Sequence, residues 1–275
     1  MAHLKLSSLL VAGALIAPAA VASTFDTGLK PLEFDAVASW QHFVLPKITL
    51  VTDTQAQSTL WQALTEQQVQ TIALRVARIL YQDSDQAPQL PTLSLTLKEM
   101  KGVAYKDGNF SGAAIYVSRE YLDKFQQQHG AAAAFQELIG ILYHEIAHAY
   151  QLDDHNYKEI GPIIEGIADV VRYKAGYIPQ SARKLGGNYD SGYKTTAFYL
   201  LWLEQNGYPN MLTQINASLN PHDGQKWSWS WFATTTGLDF ASSWQTYQAE
   251  LSKELAQELP QEVTRELSKA QGAAL

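Results

Sequence analysis

The chain has 275 residues, a formal net charge of −7 at pH 7 and no cysteine. The absence of thiols excludes disulfides, cysteine-ligated zinc and a cysteine nucleophile. The acidic balance argues against nucleic acid and anionic membranes as partners, because both would need a basic patch on the protein.

The first 22 residues have the pattern of a secretory signal. Lys5 supplies the positive start, residues 9–21 form a short apolar run, and Ala20-Val21-Ala22 is a small-x-small cleavage site. We therefore expect cleavage after Ala22 and a secreted or periplasmic protein. No later segment has the length and apolarity of a membrane span. Residues 23–275 contain no linker long enough to separate independent domains, so a single domain is expected.

The chain after this signal begins with strand and helix patterns. Residues 48–52 are β-branched and predict a strand. Apolar residues recur at helical spacing over residues 58–82, which predicts one amphipathic helix with Ser58 as its N-cap. Residues 93–100 predict a second strand.

A hairpin is predicted next, from residues 102–105 and 112–118, with Lys106-Asp107-Gly108-Asn109 as its turn. The Asp-Gly pair is typical of such turns. Residues 113–117 are our candidate for an exposed edge strand, along which an extended peptide substrate could bind by strand addition. The alternative is an interior strand, which their apolar content also fits.

A short helix, from Ser118 or Arg119 to about residue 128, should precede a longer one over residues 131–150. The longer helix contains His144-Glu145-Ile146-Ala147-His148, an H-E-x-x-H motif. His144 and His148 lie four residues apart and project from one face, where two imidazoles can bind Zn²⁺.

Glu145 lies about 100° further round this helix, beside the predicted metal. There its carboxylate can take a proton from metal-bound water. The residues before the motif are apolar, so the helix is expected to be buried. The alternative is a buried helix whose histidines are satisfied by hydrogen bonds alone.

The second helix of the predicted metal site spans residues 161–172, with Pro162 in its first turn. Glu165 is the predicted third zinc ligand. Asp169, one turn later, would hydrogen-bond a ligand histidine, and it is the alternative third ligand. Gly166 would let the two ligand helices approach closely.

The connecting loop, residues 152–161, contains Asp153, Asp154 and His155. A solvated loop is favoured over extra ligands or substrate contacts. In the C-terminal half, core packing is the favoured interpretation of the tryptophan-rich stretch over a sugar or peptide subsite. Further helices are predicted over residues 195–205, 209–219 and 239–259.

The segments 144–151 and 164–177 resemble the basic secretory protein family of plant and bacterial peptidases. Residues 114–121, 192–197 and 232–247 agree with that family, so the resemblance spans roughly residues 48–251. It implies a zincin-like catalytic domain with one zinc ion per chain and Glu165 as third ligand in the gluzincin manner. The chain departs from the family name by being acidic.

The expected fold is therefore α+β: a zincin-like domain with a small mixed sheet, whose edge strand lies over the metal-site helix. The α/β part should span about residues 47–151 and the mainly helical part about residues 160–259. In the family-like segment, Tyr193 follows Gly192 and is the candidate donor to the oxyanion. Tyr189 and His155 are alternatives for that role, and Tyr193 as a packing residue is another.

The predicted function is hydrolysis of peptide bonds by Glu145-assisted attack of metal-bound water. Peptides or proteins are the expected substrates. Two alternatives stay open: a non-catalytic zincin-fold protein that binds glycan or protein ligands, and a zinc hydrolase of non-peptide amides.

Overall fold

A computed structural model describes residues 25–34, 40–53 and 58–272, and of residues 258–272 only the backbone. The predicted secretory signal, residues 1–22, lies outside the described residues. Within the described ranges, no helix is long and apolar enough to cross a membrane.

The chain forms a mixed α+β fold, in which a small sheet near the N-terminus is followed by a mostly helical remainder. This confirms the predicted fold class at that level. The elements in order are β1 (Lys47–Thr52), α1 (Thr59–Ala63), α2 (Glu66–Leu80), β2 (Thr92–Lys98), β3 (Ala104–Asn109), β4 (Gly112–Ser118), α3 (Arg119–His129), α4 (Ala131–Tyr150), α5 (Tyr157–Lys174), α6 (Tyr193–Gln205), α7 (Met211–Ser218), α8 (Trp229–Thr236) and α9 (Phe240–Gly272).

The sheet has the strand order β1-β2-β4-β3, with β1, β2 and β4 parallel and β3 antiparallel. The prediction that residues 113–117 form an exposed edge is wrong. Ile115 in β4 pairs with Leu95 on one side and with Lys106 on the other. Because both edges of β4 are occupied, it cannot accept another strand. The sheet has β1 and β3 at its edges, and β3 is the edge strand next to β4, where it also contacts α4.

The turn of the hairpin lies later than predicted, at Phe110 and Ser111, and β3 continues through Asn109. The Asn109 side chain accepts a hydrogen bond from the Ser111 backbone N–H at 2.8 Å, which closes the turn locally. Gly108 has φ +86° within the strand, and a Cβ there would clash with the Gly112 carbonyl. The glycine therefore serves a distorted strand rather than a turn.

The predicted single helix over residues 58–82 is two helices. Ser58 caps α1 as expected, but the chain leaves the helical conformation at Leu64 and Thr65. A capping box then starts α2, because Gln68 N–H donates to Thr65 Oγ1 at 3.2 Å and Thr65 N–H donates to Gln68 Oε1 at 2.8 Å. Helical periodicity across the break concealed this local restart.

The second ligand helix, α5, begins four residues earlier than predicted, at Tyr157. Pro162 therefore lies inside α5 rather than in its first turn, where it removes one backbone hydrogen bond. At the C-terminus, α9 continues past residue 259 to Gly272. Residues 252–272 are rich in Glu, Lys, Gln, Ala and Leu, which favour helix.

Two glycines allow the helices around the site to pack closely, and they do so at different contacts. Gly140 on α4 faces Arg172 on α5, whose Nε would lie 2.9 Å from an added Cβ. Gly166 on α5 faces α6 rather than α4, since an added Cβ would lie 2.6 Å from Thr196 Cγ2. The close approach attributed to Gly166 thus brings α6, not α4, against α5.

We predict that Gly166→Ala lowers the free energy of unfolding by about 1–3 kcal/mol, because the added methyl overpacks a buried helix contact. Gly161→Ala is the matched control in the same helix, since no atom lies within 4 Å of its added Cβ. It should be neutral or stabilising by up to about 1 kcal/mol. Urea unfolding followed by circular dichroism measures both, and equal stability of the two variants would contradict the packing argument.

Candidate active site

Three side chains from α4 and α5 converge in the structure. The Nε2 atoms of His144 and His148 are 3.1 Å apart, and Glu165 Oε2 lies 3.1 Å from the first and 3.6 Å from the second. Among the described residues they form a group that could hold a metal ion. The structure thus brings together the two histidines of the H-E-x-x-H motif and Glu165, the predicted third ligand.

The geometry of this group fits a tetrahedral cation. Ligand atoms at about 2.0–2.1 Å from a tetrahedral metal are separated by about 3.3–3.4 Å, close to the distances observed here. The donor chemistry agrees, because two imidazole nitrogens and a carboxylate oxygen face a common point. With neutral imidazoles, lone pairs would oppose one another there, so a proton or a metal ion is needed between them.

Asp169 holds the first histidine from behind. His144 Nδ1 lies 2.9 Å from Asp169 Oδ1, and both side chains are largely buried. A carboxylate can only accept, so Nδ1 carries the proton and Nε2 faces Glu165. Asp169 is therefore placed behind His144 rather than in the converging group.

The electrostatics of the cluster reflect these contacts. Burial lowers the pKa of His144, but hydrogen bonds to Asp169 and Glu165 outweigh it and raise the pKa to about 9. Burial likewise raises the pKa of Glu165, yet hydrogen bonds from His144 and His148 bring it down to about 2. At neutral pH the site without metal therefore holds a carboxylate and a protonated imidazole in place of a cation.

Glu145 lies beside the converging group and outside it. Its side chain is buried and lines the same cleft. Burial raises the pKa of Glu145, while the nearby charges of His148 and His144 lower it by a smaller amount. A carboxylate with a raised pKa, next to a metal-binding group, is suited to accepting and returning a proton.

Tyr193 also reaches the cluster, from the first turn of α6. Its ring is nearly parallel to that of His144, at 7° with centroids 6.2 Å apart, and 57% of the residue is exposed to the cleft and solvent. Its φ of +46° is rare for a residue other than glycine. Burial and the negative charges of Glu165, Asp169 and Glu145 raise the pKa of its phenol.

A buried threonine holds the backbone that presents Tyr193. Thr196 Oγ1 accepts the Gly192 N–H at 2.8 Å and donates to the Tyr189 carbonyl at 2.8 Å. Thr196 is the residue that packs against Gly166. The strained tyrosine is thus fixed by the same contact that joins α6 to α5.

The cluster opens into a cleft of about 1140 Å³, large enough for several residues of a peptide. Its walls come from the edge strand β3 and the hairpin turn, from α4, α5 and the start of α6, and from two loops that carry Asp153, His155 and His222.

The other predicted candidates are dispersed. Tyr189 packs in the C-terminal aromatic cluster, 5.0 Å from Trp229 and 5.4 Å from Phe240 between ring centroids. His155 lines the cleft with an exposed side chain. Trp227 and Trp229 are buried in the core, and neither lines the cleft. The favoured core interpretation of the tryptophans therefore agrees with the structure.

The loop between α4 and α5 is less solvated than predicted. Asp154 is 1% exposed, and its carboxylate accepts the backbone N–H groups of Trp227 at 2.6 Å and Asn156 at 2.8 Å. Asp153 lies on the cleft wall, where it accepts the Tyr157 hydroxyl at 2.5 Å and the His155 N–H at 2.7 Å. Asp154 therefore pins the loop, while Asp153 faces the cleft.

Sequence reasoning missed Lys106 and Arg172 as cleft residues. The sequence places Lys106 in a predicted turn. It places Arg172 at the end of the helix predicted over residues 161–172, with no predicted function. Lys106 lies on β3 and Arg172 on α5, one on each side of α4. Their position on the cleft wall could be recognised only once β3 was known to lie beside the cleft.

A family model described as BSP, peptidase of plants and bacteria, matches residues 51–247. Comparisons with curated proteins and with solved structures gave no match. The family match covers β2, β3 and β4, the helices α4 and α5, and the segment that carries Tyr193.

We predict that zinc binding at pH 7.5 releases at least about one proton per chain, because the pKa of His144 near 9 must be overcome before Nε2 can bind metal. Calorimetric titration in buffers of different ionisation enthalpy measures this release. Asp169→Asn removes the contact that raises this pKa, so it should release less. Zinc uptake by the native protein without proton release would contradict the assignment.

Proposed function

Because the chain belongs to the BSP family of peptidases of plants and bacteria, we propose that it is an exported zinc peptidase with a single zincin-like catalytic domain. The observation that carries this proposal is the convergence of His144, His148 and Glu165 in the cleft, with Glu145 beside them. Two imidazoles, one carboxylate and an adjacent glutamate are the parts that a hydrolytic zinc site needs.

The proposed ligands are the Nε2 atoms of the two histidines and the carboxylate of Glu165. Asp169 would keep the proton on Nδ1 of His144, so that the Nε2 lone pair stays available. This role makes Asp169 the supporting residue and Glu165 the third ligand. A zinc ion bound there supplies a Lewis acid for the scissile carbonyl and lowers the pKa of a water molecule that it binds.

Glu145 is the proposed general base and acid. Its carboxylate would accept a proton from the attacking water and later deliver it to the leaving amine. Its burial supports this role, since a raised pKa makes the carboxylate a better proton acceptor. Glu145 need not bind the metal to act, which agrees with its place outside the converging group.

Tyr193 is the proposed hydrogen-bond donor to the carbonyl oxygen as negative charge develops on it. Its raised pKa keeps the phenol protonated at neutral pH, so its O–H is available to donate. Its exposed position over the His144 ring places the phenol in the cleft, where it also hydrogen-bonds Glu165. A donor aimed at developing charge contributes to the rate more than to binding.

The proposed substrate is an extended peptide that lies along β3. Among the described residues, β3 pairs only with β4, so no strand covers its other edge, although the Gly108 carbonyl and N–H already bond to the side chains of Lys106 and Asp107. Seven residues of the cleft wall come from this strand and the turn after it: Ala104, Tyr105, Lys106, Gly108, Asn109, Phe110 and Ser111. This strand replaces residues 113–117 as the proposed peptide-binding edge.

We predict that Glu145→Gln retains one zinc per chain but lowers kcat for peptide cleavage by about 10²–10⁴-fold, because the proton acceptor is lost while the proposed ligands remain. Zinc is measured by mass spectrometry and cleavage with a quenched peptide library, with and without 1,10-phenanthroline. Glu159→Gln, an exposed change of equal charge in α5, is the control.

Full activity of Glu145→Gln would refute the proposed mechanism. A native protein that holds zinc and cleaves no peptide in the library would instead favour the non-catalytic binding function.

We predict that Tyr193→Phe lowers kcat by about 10–10³-fold with little change in KM, since the lost hydroxyl acts on developing charge. Tyr189→Phe is the control, because its ring lies in the aromatic cluster away from the cleft. A Tyr193→Phe enzyme with native kcat would assign this residue to packing alone.

A further inference from the structure

Lys106 occupies an unusual position on the edge strand. It pairs with Ile115, so both side chains project from the same face of the sheet. Ile115 is fully buried on the face that the helices cover. Lys106 therefore points inward, and its side chain lines the cleft that holds the metal-binding group.

The Lys106 ammonium has few hydrogen-bond partners for a charged group that points toward the core. Its Nζ donates to the Gly108 carbonyl at 2.9 Å, which uses one of three donors. Within the described part of the chain, no carboxylate lies within 4 Å of it. Burial lowers its pKa more than the charges of Asp153 and Asp107 raise it. A partly desolvated cation with spare donors thus faces the cleft.

The remaining charges on the cleft wall are mostly of the same sign. Outside the metal-binding cluster and its neighbours Glu145 and Asp169, the wall has three cations, Lys106, Arg172 and Lys194, of which Arg172 is already paired with Glu137 at 2.7 Å. Asp153 is the one carboxylate among these described residues, and it already accepts two hydrogen bonds. Among the described residues, Lys106 and Lys194 are therefore the cations that this part of the wall presents without a paired carboxylate, in a chain with net charge −7.

We propose that Lys106 is a specificity-determining residue that binds an acidic side chain of the substrate, so that the cleft selects acidic peptides. This inference rests on the proposed peptidase function. A peptide lying along β3 would place side chains on the same inward face as Lys106. A substrate carboxylate there would accept hydrogen bonds from the remaining donors of the ammonium, in place of the water molecules that burial excludes.

The test uses labelled peptides that differ only by Glu or Gln at each position in turn, with acetylated and amidated ends. The zinc-loaded native protein should cleave the preferred Glu peptide about 10-fold faster in kcat/KM than its Gln partner, as for a hydrogen bond between charged groups. Lys106→Gln should abolish this preference, and Lys106→Glu should invert it, so that the Gln peptide is cleaved faster than the Glu peptide. Lys101→Gln, an exposed change of equal charge just before β3, should preserve it.

A structural role of Lys106 in holding the Gly108 carbonyl would change thermal stability without changing the Glu-to-Gln ratio. An equal ratio in the native protein and Lys106→Gln would therefore overturn the proposal. Peptides with a free C-terminus form a separate arm. A preference that depends on the terminal carboxylate, and not on a Glu side chain, would likewise overturn it.

Binding separates this inference from the proposed function. Fluorescence anisotropy with the Glu145→Gln protein should show about 10-fold tighter binding of the Glu peptide, lost when Lys106→Gln is added. That binding preference, combined with a native protein that cleaves no peptide, would sustain the inference and refute the peptidase function. Cleavage by the native protein without any preference would do the reverse.

Discussion

The hydrogen bond between His144 Nδ1 and Asp169 joins α4 to α5, alongside the ion pair between Glu137 and Arg172. It orients the imidazole so that Nε2 faces His148 and Glu165 across 3.1 Å. Burying these polar groups is costly unless positive charge lies between them. The same interaction therefore holds the two helices together and creates a position for a cation, which is why the site and the core cannot be varied independently.

A second contact connects this core to the tyrosine over the site. Thr196 reaches Gly166 only because that position has no side chain, and its hydroxyl then holds the backbone around Gly192. Tyr193 adopts φ +46° directly after this glycine. Such a conformation costs about 1–3 kcal/mol and persists where surrounding structure determines it. The packing of α6 on α5 thus supports a strained residue at the cleft.

The sheet shapes the other wall. Because β4 lies between β2 and β3, the antiparallel β3 forms the edge beside the cleft. Its pairing with β4 directs Lys106 inward and Tyr105 outward. In the function that we propose, the backbone edge would pair with an extended peptide, and the neighbouring Lys106 would select its side chains by charge. Affinity and selectivity would then have separate physical origins on one strand.

The sequence by itself determined the helix over residues 131–150 and the cap at Ser58, because these depend on local spacing and short-range hydrogen bonds. It also indicated the family, through the motifs around residues 144–151 and 164–177. The i, i+4 spacing placed His144 and His148 on one helix face. The acidic residue in the second helix, together with the family resemblance, predicted Glu165 as their partner. Only the tertiary structure decided the strand order, the turn at residues 110–111, the burial of Asp154 and the inward direction of Lys106. The strand order, the burial of Asp154 and the direction of Lys106 depend on partners in other elements, namely β2 and β3 for β4, and Trp227 for Asp154. Periodicity shows that a segment has an apolar face, and it carries no information about which segment covers that face.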